Sequence, residues 1–123
     1  MAEERELKPA PAAEEKIDAL RQRIDAIDAQ LMRLLNSRSA CAVEIGRIKR
    51  AIGLAVYSPE REARILDRVA RENPGPLDST AVRRVFERII DESRRLERLA
   101  GEGGTEEQAR AAADGASPLV EPE

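Results

Sequence analysis

The 123-residue sequence contains no histidine and no tryptophan, a single cysteine (Cys41), one tyrosine and one phenylalanine. Without histidine, imidazole acid–base chemistry, His-based triads and the usual zinc sites are excluded. One cysteine cannot close an internal disulfide, and the residue is expected to be a small buried hydrophobe. Aromatics at 2% against 37% charged residues argue for helices and against sheets. No apolar run approaches the roughly 20 residues of a membrane span, so no membrane association is expected. The opening MAEERELKPAPAAEEK carries acids where a secretory signal has a basic start and an apolar stretch, which leads us to expect a cytoplasmic protein.

The net charge of −3 hides an asymmetry. Residues 14–100 hold 18 Lys and Arg against 15 Asp and Glu, whereas residues 101–123 hold 1 against 6. A basic excess this mild is no nucleic-acid footprint, but it suits a small anion. Residues 1–13, rich in Pro, Ala and Glu, and residues 101–123, with few large apolar groups, cannot bury enough surface to offset ordering; both are expected to be disordered tails flanking one domain at 14–100.

Three helices are expected between the tails. Ile17, Leu20, Ile24, Ile27, Leu31, Leu34, Cys41, Ile45, Ile48 and Ile52 recur in steps of three and four, the signature of one long helix over about residues 16–52, roughly 55 Å, stopped by Gly53. Gly46 inside that run weakens it slightly. Ser58 as N-cap and Pro59 at the first helical position open a second helix, whose stripe is Ile65, Leu66 and Val69 and which Asn73-Pro74-Gly75-Pro76 ends. A third opens at Asp78 or Ser79, carries Val82, Val85, Phe86, Ile89, Ile90, Leu96 and Leu99, and closes at Gly101. Two short helices cannot cover so long a seam, so the reading is an all-α chain that forms an intertwined helical homodimer. An antiparallel coiled-coil adaptor would use the same helices.

Polar residues interrupt the apolar faces. Arg38 takes the seam position where a hydrophobe belongs, and Lys49 lies eleven residues on, close to three turns, on the same face. Glu62 stands three and four residues before Ile65 and Leu66, with Arg61 beside it, and the third stripe continues into Ser93 and Glu97. Singly, each has a bland explanation in a salt bridge, a snorkelling stem or a hydroxyl bonded to its own helix. Arg83-Arg84 and Arg94-Arg95 read as solvated faces. Jointly, cations on buried faces are costly unless anions meet them, and the residues alone point to a helical dimer with a polar cavity for a small anion.

These residues also resemble a known family. Leu20-Arg21-Gln22-Arg23-Ile24-Asp25-Ala26-Ile27-Asp28, Leu34-Leu35-Asn36-Ser37-Arg38, Val43-Glu44-Ile45-Gly46-Arg47-Ile48-Lys49, Pro59-Glu60-Arg61-Glu62 and Phe86-Glu87-Arg88-Ile89-Ile90-Asp91-Glu92-Ser93 look, in order and spacing, like the all-helical chorismate mutases of the monofunctional bacterial type. The resemblance implies a domain-exchanged homodimer with shared active sites that rearranges chorismate to prephenate without cofactor or metal, in phenylalanine and tyrosine biosynthesis. It implies that Arg21 reaches into the partner's site to bind a carboxylate of the dicarboxylate substrate, that Arg38 binds a carboxylate in its own site, and that Lys49 contacts a carboxylate and the ether oxygen. Arg61 would add positive potential, Glu62 would take the ring hydroxyl, and Ser93 would sit near a carboxylate. Glu97 stands where many relatives have glutamine, the second donor to the ether oxygen, and Ser58 where some have aspartate. An isochorismate–pyruvate lyase of the same fold and a non-enzymatic dimerisation module are the alternatives.

Overall fold

In the computed structural model, which describes residues 11–102, the chain forms three helices and, among the described residues, no strand: α1 (Pro11–Ala51), α2 (Pro59–Glu72) and α3 (Ser79–Gly101). The all-α, three-helix architecture is therefore the one that the periodicity predicts. One boundary differs. Helix α1 opens at Pro11, so residues 11–13, expected in the tail, are helical. Proline fits the first helical turn and Ala-Ala-Glu-Glu after it are strong helix formers. The rest of both expected tails lies outside the described residues.

The chain punctuation works locally. Gly53 takes φ +81°, and the bonds Gly53 N–H to Arg50 O (3.3 Å) and Leu54 N–H to Lys49 O (2.8 Å) close α1 in a Schellman motif. The Ser58 hydroxyl accepts from Arg61 N–H at 3.3 Å and Pro59 follows it, as a helix start requires. Asn73 and Gly75 turn the chain, the Asn73 amide donating to Leu77 O at 2.6 Å, and Asp78 caps α3 by accepting from Ala81 N–H at 2.7 Å. The glycine at 101 is the last helical residue, not the stop.

The chain divides into two compact units within α1, at Leu34 and Leu35. In the first, the helical stretch 12–34 is exposed almost throughout, including its apolar seam: Ile17, Leu20, Ile24, Ile27, Leu31 and Leu34 are 47–63% exposed. In the second, α2 and α3 run antiparallel, tied by Arg83–Asp67 (3.3 Å) and Arg94–Glu62 (3.6 Å). Val43 of α1 packs with Ala100 and Leu96 of α3, and Ile65, Ile90 and Ala40 complete the buried apolar set. Cys41, expected to be buried, is exposed. Exposed apolar stripes of this length are rare on monomeric proteins and mark contact surfaces.

Candidate active site

The second unit holds a cavity of about 220 Å³, lined by α1, the α1–α2 connector, α2 and α3. From α1 come Arg38, Ala42, Ile45 and Lys49, the stripe that the spacing places on one face, together with Cys41 and Gly46. The connector supplies Val56, Tyr57 and Ser58. Helix α2 adds Arg61, Glu62 and Ile65, and α3 adds Ile90, Ser93, Arg94 and Glu97. Of the residues singled out from the sequence, Arg38, Lys49, Ser58, Arg61, Glu62, Ser93 and Glu97 thus share one cavity. Arg21 does not line it; that residue stands exposed on the stretch 12–34.

Two cations of the cavity make hydrogen bonds that tie its segments together. The guanidinium of Arg38 donates to the buried Ser93 hydroxyl at 3.5 Å, which joins α1 to α3. The ammonium of Lys49 donates to Val56 O at 3.4 Å, drawing the connector over the α1 terminus. Gly46 is buried beside this connector: a Cβ there would stand 3.5 Å from the Val56 side chain and 3.7 Å from that of Glu97, both ordinary packing distances.

Arg94 and Tyr57 were missed in the sequence. Arg94 reads as a solvated arginine there, yet it lines the cavity, pairs with Glu62 at 3.6 Å and lies 4.2 Å over the Tyr57 ring. Its position held a signal, since it falls four residues after Ile90 and three before Glu97, on the same stripe.

The electrostatics are those of an anion site with one unusual acid. Four cations (Arg38, Lys49, Arg61 and Arg94) face two carboxyls (Glu62 and Glu97). Burial lowers the pKa of the Arg38 guanidinium, and neighbouring Arg61 and Arg68 lower it further, while Glu97 opposes them. Burial raises the pKa of the Glu97 carboxyl above its usual range; Lys49 and Arg50 pull it down, Glu62 pushes it up and Arg94 pulls it down. Burial therefore outweighs the lysine, the balance that sequence alone could not strike, and shifts Glu97 toward the neutral form, which can donate a hydrogen bond. Among the described residues no cluster of His, Cys, Asp or Glu could hold a metal ion, and no helix is long and apolar enough to cross a membrane. The arrangement can grip a small dianion at its carboxylates and offer donors to a further oxygen.

Known proteins share this architecture. The family model for chorismate mutase type II matches residues 20–98. The chain is 37% identical over 91 residues to a bifunctional chorismate mutase/prephenate dehydratase of Pseudomonas aeruginosa, a match covering 70% of this chain and 25% of that protein. It spans about a quarter of the length of the bifunctional relatives it matches. A chorismate mutase of Methanocaldococcus jannaschii is 28% identical, with 68% of this chain and 86% of that protein covered. A 4-amino-4-deoxychorismate mutase of Streptomyces pristinaespiralis is 34% identical, with 70% and 67% covered. Among solved structures, a chorismate mutase from Thermus thermophilus superposes with a TM-score of 0.66 at 37% identity, covering 68% of this chain and 94% of that one.

Proposed function

Because the chain belongs to the chorismate mutase type II family, we propose that it rearranges chorismate to prephenate as a cofactor-free isomerase. The observation that carries this reading is the meeting of Arg38, Lys49, Arg61 and Glu97 in one small cavity. Its volume, about 220 Å³, lies below the roughly 300–1,000 Å³ of drug-sized sites and suits a compact molecule.

The reaction is a Claisen rearrangement: the ether C–O bond breaks while a C–C bond forms, in one pericyclic step with no net proton transfer. Such a step needs no nucleophile. It needs a flexible dianion held in a compact diaxial chair, which is an orientation effect, and it needs donors where negative charge grows on the ether oxygen. In this reading Arg38 grips a carboxylate with its permanent, bidentate charge. Lys49, already half-buried against Val56 O, supplies a point charge to a carboxylate and the ether oxygen. Protonated Glu97 is the second donor to that oxygen. Glu62 accepts from the ring hydroxyl, Arg61 adds positive potential, and Ser93 and the Ser58 helix start border the carboxylate.

The dimer belongs to the same proposal. The seam from Ile17 to Leu34 exposes 47–63% of each large apolar side chain, which a second copy of the helix would cover. Arg21 lies on that stretch, so its function would be in the partner's cavity. A cytoplasmic location and a catalytic domain at 14–100 complete the reading. One relative is named for 4-amino-4-deoxychorismate, so the ring substituent is where the substrates of similar chains differ. Glu97 in place of glutamine disfavours the lyase alternative.

The test is direct. Purified protein is given chorismate and, separately, isochorismate, with and without EDTA. Prephenate from chorismate, unaffected by the chelator, is the expected result. Pyruvate release from isochorismate in its place, or activity that EDTA abolishes and a metal restores, would overturn the proposal.

A further inference from the structure

Arg94 is held from two sides. Its Nε lies 3.6 Å from the Glu62 carboxylate, and its guanidinium carbon stands 4.2 Å from the centroid of the Tyr57 ring. Connector, α2 and α3 meet through this one side chain at the cavity wall. A guanidinium over an aromatic face keeps its charge and loses orientational freedom, so the ring fixes which edge of the fork meets Glu62. The side chains of Arg94 and Glu62 remain 45% and 22% exposed, and ion pairs this exposed add little to folding stability. The consequence of the pair lies instead in the charge presented to the cavity.

A bare carboxylate prefers an ammonium to a hydroxyl, because a full positive charge adds Coulomb attraction to the hydrogen bond. A carboxylate neutralised by a neighbouring guanidinium keeps its acceptor lone pairs and loses most of that preference. The guanidinium also repels an approaching ammonium. An amine on a non-aromatic ring carbon is protonated near neutral pH, so an amino-for-hydroxyl exchange at the ring presents this choice. Resting on the role of Glu62 in the function proposed above, we propose that Arg94, oriented by Tyr57, is a specificity-determining positioning residue: it neutralises Glu62 so that the cavity takes a substrate with a ring hydroxyl and disfavours the same skeleton with a ring ammonium.

The experiment measures kcat/KM for chorismate and for its 4-amino-4-deoxy analogue near neutral pH on the full chain, comparing the wild type with Arg94→Gln, Arg94→Lys and Tyr57→Phe. The wild type should prefer chorismate. Arg94→Gln should shift the amino-to-hydroxyl ratio upward by about fivefold, the upper end for a pair this exposed, and the shift should shrink with added salt. Arg94→Lys, which restores the charge, and Tyr57→Phe, which retains the ring face, should keep a ratio near wild type. Should Arg94→Gln unfold, Arg94→Met retains the apolar stem over the ring and reads the same ratio. An active wild type whose ratio is unchanged by loss of the Arg94 charge, or variants that lose both activities in equal proportion, would overturn this proposal alone. A wild type that turns over neither compound would sink the functional reading and this inference with it.

Discussion

Glu97 is the residue whose environment makes the most specific demand. Burial raises its pKa against the pull of Lys49 and Arg50. A raised carboxyl pKa means that the neutral form persists to higher pH than in an ordinary carboxyl, so the hydrogen-bond donor is present below the folded pKa and lost as pH rises through it. Substrate adds two carboxylates to the cavity, and like charges raise Glu97 further. The fall in kcat should therefore lie at higher pH than the fall in kcat/KM, since the former reports the complex and the latter the free enzyme. One proton is involved, so the descending limb should approach tenfold per pH unit. Its depth follows from two losses. A missing donor to developing negative charge costs about two to three powers of ten. An ionised carboxylate about 4 Å from half a developing charge, at an effective dielectric of about 20, costs roughly a further 2 kcal/mol. Glu97→Gln removes both pH effects while retaining an N–H donor. Turnover of wild type and Glu97→Gln, followed by chorismate loss from the usual carboxyl range upward, should diverge as pH rises, with the glutamine variant flat. Parallel profiles for the two proteins would refute the assignment of Glu97 as donor.

Two further outcomes follow from the same geometry. Lys49→Ala should lose about two to three powers of ten in kcat, against a much smaller loss in Ser93→Ala; near-normal turnover of Lys49→Ala in a steady-state assay would remove Lys49 from the reacting oxygen. If Arg21 serves the partner's cavity, Arg21→Ala and Lys49→Ala homodimers should each be nearly inactive, and refolding them together should restore about a quarter of wild-type activity, because about half the dimers are mixed and each holds one intact site; mixed dimers seen on native gels without recovered activity would show that Arg21 does not act across the interface.

Much of this was legible in the sequence, for physical reasons that can be named. The seam of α1 and the caps at Ser58 and Asp78 are local signals, and local signals decide where helices start and run. Arg38, Lys49, Glu62, Ser93 and Glu97 were legible because polar groups on apolar stripes break the period, and a broken period is visible without a structure. What stayed hidden depended on tertiary context. The first turn of α1 at Pro11 was masked by a composition that reads as a tail. Cys41 was expected to be buried, yet the chain alone leaves it exposed. Arg94 was hidden because an Arg-Arg pair looks solvated, and only the ring of Tyr57, from the connector, gives it a reason to stay at the cavity. The sign of the Glu97 shift needed the depth of its burial, which no spacing encodes.

The interruption of the seam at Arg38 ties stability to function. A hydrophobe at that position would continue the apolar stripe of α1 and contribute about 1.5–3 kcal/mol if fully buried. The chain instead places there a guanidinium whose charge burial disfavours, next to Arg61 and Arg68, which disfavour it further. Lys49 adds a second cation to the same face three turns later. Neither choice has a folding rationale strong enough to offset it: the Arg38–Ser93 bond is long at 3.5 Å, and Lys49 has a backbone carbonyl rather than a carboxylate at 3.4 Å. A cation that burial disfavours persists where something outside the folded chain compensates it, and a dianion would do so, since it offsets the repulsion of Arg38 by Arg61 and Arg68 and supplies further acceptors. Burial that raises the Glu97 pKa acts in the same direction, because an ionised Glu97 would compete with that dianion for the same cations.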